Sequence, residues 1–346
     1  MNRSLFILVM LYIAPGIPVA QNLRGLDSLF DQLRDGKRIM GSIAISKNGN
    51  MLYSRAIGYS CYNDSEKVYS TENTKYRIGS ISKTFTSTII FQLIASGAIS
   101  LETPLAKYYP DFPNAEEITI GNLLNHRSGI RNFTKIKMQT KPRTREEMME
   151  IISKSYSRSQ PGTSTLYSNA NYLILGYVIE KMLNKPFEEI LKDSIVSKIG
   201  LKDTYFGHEP NIKNNESFSY NLTRGWAQQP ATDLSIPGAS GGILSTPTDL
   251  TRFMEALFSR KLVEQSGLDK MKTITHDYGM GMTEFAFHSK KAYGQVGGID
   301  HFQSVVAYFP EDGVAVAFCS NGQGEPIRNV IMKALEICFA GEPARK

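Results

Sequence analysis

Tyr76-Arg77-Ile78-Gly79-Ser80-Ile81-Ser82-Lys83 runs straight into a segment where Phe85, Ile89, Ile90, Leu93 and Ile94 recur at helical spacing before Gly97 closes the run. A strand feeding a helix that starts at Ser80 places positions 80 and 83 on one helical face. Ser80 Oγ and Lys83 Nζ then fall within hydrogen-bond reach. A serine hydroxyl is a poor nucleophile until a base takes its proton. An ordinary lysine, with a pKa near roughly 10.4, is protonated at neutral pH, and burial lowers that value and makes the amine a usable base. No other Ser-x-x-Lys occurs in the chain. Two polar residues on a solvated helical turn would give the same spacing, so other motifs must decide.

Strands and helices order themselves around this stretch. Upstream, Leu23, Leu26, Phe30 and Leu33 recur at helical spacing as far as Gly36. Ile43 and Ile45 then alternate with Ser42 and Ser46, Lys47-Asn48-Gly49-Asn50 is a turn signal, and residues 51–57 read as a returning strand. Downstream to about residue 235, helical pieces at 121–124, 146–153, 172–182 and 187–196 are joined by loops marked with Pro and Gly. Strands return at 291–295, 302–309 and 314–319, and the last helix carries Ile327, Val330, Ile331, Ala334, Leu335 and Cys338 on one stripe. This order predicts an α/β lobe built from residues 21–80 and 236–346, with a helical lobe, 81–235, inserted in it.

Composition narrows the classes of function. The 346 residues are 41% hydrophobic and 21% charged, ordinary for one folded domain over 21–346. The formal charge of +6 is not gathered into a basic stripe with aromatics, which excludes nucleic acid as a partner. Arg3, the apolar stretch from Leu5 to Ala14 and the small residues up to Ala20 read as a signal segment, residues 1–20. Its apolar part, about ten residues, is too short to span a bilayer. The expectation is an exported protein, periplasmic or secreted, with no stable membrane span after signal removal; an uncleaved N-terminal anchor is the alternative. Cys61, Cys319 and Cys338 fit no zinc spacing and allow at most one bridge, and no His-based metal motif occurs, so no metal or organic cofactor is expected. No pattern sets an oligomeric state.

Tyr167-Ser168-Asn169, the single Tyr-x-Asn of the chain, follows the loop Pro161-Gly162-Thr163-Ser164-Thr165-Leu166 and precedes a helix expected from about Asn171. A tyrosine beside a lysine ammonium would have its phenolate favoured and could relay a proton. A buried aromatic with a helix-capping Asn is the plainer reading of these three residues alone. With Leu123-Leu124-Asn125-His126-Arg127-Ser128-Gly129 and Gly241-Gly242-Ile243-Leu244-Ser245-Thr246 added in order, the chain resembles the superfamily of class C β-lactamases, penicillin-binding D,D-peptidases and related esterases. The matching stretches extend from about Ile39 to the C-terminus.

The resemblance implies an α+β fold of β-lactamase and transpeptidase type, an antiparallel sheet flanked by helices with a mostly helical inserted lobe. It implies an acyl-enzyme on Ser80, with Lys83 and Tyr167 moving protons and Asn169, Gln295, Gly297 and Gly298 at the substrate. His126 falls in a stretch that looks structural in this superfamily. The third motif departs from the pattern: Gln295-Val296-Gly297 has a neutral amide where Lys or His is usual, and His301 stands where a glycine is usual. A cation there would help hold a substrate carboxylate, which tilts the expectation toward a small molecule or peptide cleaved as an ester or a D-amino-acid amide. β-Lactam hydrolysis and a non-catalytic binding or assembly role on the same fold are the alternatives.

Overall fold

The computed structural model describes residues 19–133, 140–155, 159–222 and 225–340. The signal segment read at 1–20 lies outside these but for its last two residues. In chain order the strands are β1 (Ile39–Lys47), β2 (Asn50–Ile57), β3 (Tyr59–Tyr62), β4 (Lys67–Tyr69), β5 (Tyr76–Arg77), β6 (Tyr205–Phe206), β7 (Tyr220–Leu222), β8 (Trp226–Gln228), β9 (Ile243–Ser245), β10 (Thr283–Phe287), β11 (Lys290–Ile299), β12 (Phe302–Phe309) and β13 (Val314–Gln323). The helices are α1 (Val19–Asp35), α2 (Ser82–Ala95), α3 (Ile120–Leu124), α4 (Arg145–Lys154), α5 (Asn169–Leu183), α6 (Phe187–Leu191), α7 (Ser197–Ile199), α8 (Pro247–Phe258), α9 (Gln265–Lys272) and α10 (Ile327–Cys338). No helix among the described residues is long and apolar enough to cross a membrane.

Asn48 and Gly49 both have positive φ, 50° and 83°, the two-residue turn whose twist suits a hairpin, and they join β1 to β2. The main sheet runs β10-β11-β12-β13-β1-β2, each neighbour antiparallel. β7 adds to the end of β13 in parallel and β8 pairs with β7. Thus part of the 81–235 stretch joins the main sheet. A smaller sheet, β5-β9-β6, brings Ile243–Ser245 alongside Tyr76–Arg77.

The alternation in β1 and β13 explains how two layers of helix cover one sheet. Ile43, Ile45, Val314, Val316 and Phe318 cluster with Leu26, Phe30 and Leu33 of α1 and with Val330, Ile331 and Leu335 of α10. The other positions are small: Ser42, Ala44, Ser46, Ala315, Ala317 and Cys319, all buried. Small residues let helices approach this second face, and Ser46 Oγ donates to Glu255 Oε1 on α8 at 2.9 Å. The result is the antiparallel sheet flanked by helices that the resemblance implied.

α2 runs through the middle of the molecule, with residues 82–91 buried all round rather than on one stripe. Its buried hydroxyls have partners: Thr84 Oγ1 donates to Gly281 O and Thr86 Oγ1 to Ala239 O, both at 2.7 Å, while Ser87 Oγ meets the Tyr172 hydroxyl at 3.2 Å. Phe85 stacks on Phe253 of α8 with ring centroids 3.8 Å apart.

Element ends differ from expectation at informative places. The expected helix start at Ser80 is a 3-10 turn, Gly79–Ile81, and α2 proper begins at Ser82. α5 begins at Asn169 rather than Asn171. β11 continues past residue 295 through Val296-Gly297-Gly298 to Ile299, although glycine has little strand preference. The reason is a close approach: a Cβ on Gly297 would lie 1.9 Å from Ile78 O. None of the three cysteines forms a disulfide, so the single bridge the sequence allowed is not made.

An ion pair inside the protein ties the β11–β12 turn to the strand before Ser80. Arg77 and Asp300 are 3.1 Å apart with side chains 2% and 1% exposed. Arg77 also donates to His208 O at 3.0 Å, and Asp300 accepts from the Thr232 hydroxyl at 2.6 Å. Asp300 takes the positive φ of this turn, 52°, whereas His301 does not, so no glycine is required at 301. Removing one partner leaves an uncompensated buried charge. Asp300→Ala is expected to cost about 3–5 kcal/mol of stability, while Arg77→Met with Asp300→Leu recovers much of it. Urea denaturation of the three proteins checks this, and equal losses in single and double variants would contradict it.

Candidate active site

Ser80 sits in the 3-10 turn between β5 and α2, and Lys83 follows on the first turn of α2. Lys83 Nζ is completely buried and lies 3.0 Å from Ser80 Oγ. It is 2.7 Å from Asn169 Oδ1 and 2.8 Å from Ser240 O. No carboxylate pairs with it among the described residues. Burial therefore holds the Lys83 pKa well below the usual 10.5.

The hydrogen-bond geometry is consistent with a neutral amine. Such an amine has two N–H donors and one lone pair. The carbonyl oxygens of Asn169 and Ser240 are acceptors only, and together they take both donors. The lone pair is then left for the Ser80 hydroxyl, the arrangement that a general base requires.

Tyr167 comes from the loop before α5, and its hydroxyl lies 2.7 Å from Ser80 Oγ. Burial pushes its pKa up to about 12, only partly offset by the bond to Ser80. This corrects the expectation of a favoured phenolate. The Lys83 amine beside it is held toward neutrality by the same burial, so no full cation stabilises an anion there. Tyr167 is a phenol that donates to Ser80 Oγ.

The remaining residues singled out in the sequence fall around this cluster. Asn169 uses Oδ1 to accept from Lys83 Nζ, so its first contact is with that amine. Gly298 lies against the Ser80 turn: a Cβ on Gly79, whose φ is +51°, would be 2.7 Å from Gly298 N. Ser304 Oγ donates to Ile78 O at 2.8 Å and fixes the same approach from β12. Gln295 is 4% exposed, and its Oε1 accepts from Val296 N at 3.0 Å. Ser80, Tyr167, Gln295, Gly297 and Gly298 line one cleft of about 950 Å³.

Sequence reasoning missed two parts of the cluster and read a third, His126, as structural. Ser240 contributes a backbone carbonyl, which no side-chain motif can announce. Tyr278 belongs to no recognisable motif, yet its ring centroid is 5.5 Å from that of Tyr167. His126 is a buried packing residue, its ring 4.5 Å from Tyr167, and its Nδ1 accepts from Ser168 N at 3.3 Å. Burial, with the nearby Lys83, lowers its pKa to about 3, so it is neutral and steadies Tyr167 rather than exchanging protons. The described residues hold no group of three His, Cys, Asp or Glu side chains arranged for a metal.

Known proteins with these features are numerous. The PbpX protein of Bacillus subtilis (strain 168), a penicillin-binding-protein relative, is 29% identical over 246 residues, 70% of this chain; the chain spans only 61% of that protein's length. The teichoic acid D-alanine hydrolase of Staphylococcus aureus is 26% identical over 291 residues, 82% of this chain and 70% of the relative. The crystal structure of D-amino acid amidase from Ochrobactrum anthropi SV3 superposes with a TM-score of 0.76 at 26% identity, covering 90% of this chain and 98% of that one. The family model described as Beta-lactamase matches residues 26–336, nearly the whole chain, and the protein is therefore a serine hydrolase belonging to the β-lactamase family.

Proposed function

We propose that this protein hydrolyses esters or amides of D-amino acids through an acyl-enzyme on Ser80. The observation that carries the reading is the fully buried Lys83 amine, whose two donors are matched by carbonyl oxygens while Ser80 Oγ stands 3.0 Å away. Lys83 takes the Ser80 proton as Oγ attacks the substrate carbonyl carbon. The N–H groups of Ser80 and Gly298 are assigned to the developing oxyanion, a device worth about two to three decades in rate per donor. As the carbonyl bond to the leaving oxygen or nitrogen breaks, Tyr167 hands over its proton and the Lys83 ammonium replaces it. Water then attacks the acyl-enzyme by the same proton route in reverse, restoring Ser80 and releasing the acid.

The D-amino-acid class is supported by the names of the relatives, a D-alanine hydrolase and a D-amino acid amidase. Gln295 supports it by default, since a neutral amide offers a substrate carboxylate no opposite charge to pair with. Export rests on the N-terminal pattern of Arg3 and the apolar stretch from Leu5 to Ala14.

Ser80→Ala is expected to abolish covalent labelling by a fluorophosphonate and to lower kcat/KM on p-nitrophenyl acetate by about three decades or more, with the fold unchanged. Unchanged ester turnover would place the nucleophile elsewhere. The pH profile has a definite sign. Activity should rise as Lys83 deprotonates, with a midpoint well below 10.5, and should fall only as Tyr167 ionises near about 12. Lys83→Ala should lose about two to four decades in pre-steady-state acylation. Tyr167→Phe should be slower than wild type, keep the acid limb and lose the alkaline one. A wild-type acid limb at the ordinary lysine value would refute the neutral-base reading.

Gln295→Lys tests the polarity of the cleft. An amide and an ammonium can both donate to a substrate carboxylate, but only the ammonium adds the attraction of an opposite charge. The variant is expected to raise kcat/KM on a penicillin or a D-Ala-D-Ala peptide about tenfold relative to p-nitrophenyl acetate. Equal changes on both kinds of substrate would show that position 295 does not meet a carboxylate.

A further inference from the structure

The cleft beside Ser80 is electrically one-sided. Among the described residues that line it there is no lysine or arginine, and its two carboxylates differ in state. Asp300 is buried against Arg77. Asp277 is exposed and has no ion-pair partner among the described residues.

Asp277 is held in place by local backbone chemistry. Thr275 N donates to Tyr278 O at 3.0 Å and Tyr278 N to Thr275 O at 3.4 Å, with His276 and Asp277 at φ of 51° and 73° between them. Two consecutive positive φ values define the same tight hairpin turn that Asn48-Gly49 makes, here without glycine, a costly choice that asks for a reason. The next residue, Tyr278, packs its ring on Tyr167, whose hydroxyl touches the nucleophile. The turn is thereby coupled to the catalytic tyrosine, and Asp277 lines the cleft that contains Ser80.

We propose that Asp277 binds the α-ammonium group of the substrate, so that the enzyme selects D-amino-acid esters or amides with a free amine. The inference rests on the acyl-hydrolase reading above. An ammonium meets a carboxylate that has no ion-pair partner among the described residues, next to a tyrosine ring whose face also attracts cations. An acylated amine carries no charge to be recognised. A substrate that instead presents a carboxylate meets like charge at Asp277 and a neutral amide at Gln295. Selectivity then comes from repulsion as well as attraction.

The test compares D-alanine p-nitroanilide with N-acetyl-D-alanine p-nitroanilide in wild type, Asp277→Asn and Asp277→Lys. Wild type should favour the free amine. The ratio of the two kcat/KM values should fall about fivefold in Asp277→Asn, as expected for a partly solvated ion pair. It should fall further in Asp277→Lys, and added salt should narrow the wild-type ratio. An unchanged ratio in both variants, or a wild type that favours the N-acetyl substrate, would overturn the assignment. Fluorophosphonate labelling of wild-type Ser80 separates the two failures: labelling with an unchanged ratio removes Asp277 alone, whereas no labelling removes the acyl-hydrolase reading and this inference together.

Discussion

The position of one buried amine governs the site. Lys83 is completely buried, and its nitrogen meets two carbonyl oxygens and one hydroxyl, with no carboxylate paired to it among the described residues. A lysine in such a place exists as a base because ionising it would cost more than the surroundings return. The requirement reaches outward through the fold. α2 must be buried along its first ten residues, α5 must begin at Asn169, and the turn at residues 238–240 must offer its carbonyl. Thr86, bonded to Ala239 O from α2, holds that turn against the helix carrying the lysine.

A second constraint is steric. The Ser80 turn and the strand beside it come from segments more than two hundred residues apart, and they meet backbone to backbone. Gly297 and Gly79 are the sites where side chains would prevent the contact, with a virtual Cβ at 1.9 Å from Ile78 O in one case and 2.7 Å from Gly298 N in the other. Ser304 and the Arg77–Asp300 pair bind the same two segments from either side. Attack on a carbonyl needs donors already aimed at where charge will appear, and a rigid backbone contact supplies that aim without reorganisation.

Much of this was legible in the residues. Alternation in β1, helical spacing in α1 and α10, and the Asn-Gly turn each follow from local chemistry, and the structure has all of them. Ser80, Lys83 and Tyr167 stood out because their types carry recognisable proton chemistry. What was hidden depends on environment instead of identity. The direction of the Tyr167 shift turns on burial, which a tripeptide motif does not reveal. Ser240 acts through a peptide carbonyl that every residue owns. The continuation of β11 through two glycines comes from a neighbour distant in sequence, against the local preference of those residues. Asp277 gains meaning only when the turn around it packs on Tyr167.

Burying Lys83 also makes folding a proton-releasing reaction. In the unfolded chain the amine titrates as an ordinary lysine, near 10.5, while in the folded protein it gives up its proton at a lower pH. Between those two values the unfolded state binds a proton that the native state does not, so this group favours the native state more as the medium becomes more alkaline. Below the folded value its contribution is constant and adverse. The base proposed to activate Ser80 thus also weighs against the stability of the fold, and the rest of the packing must carry it at neutral pH.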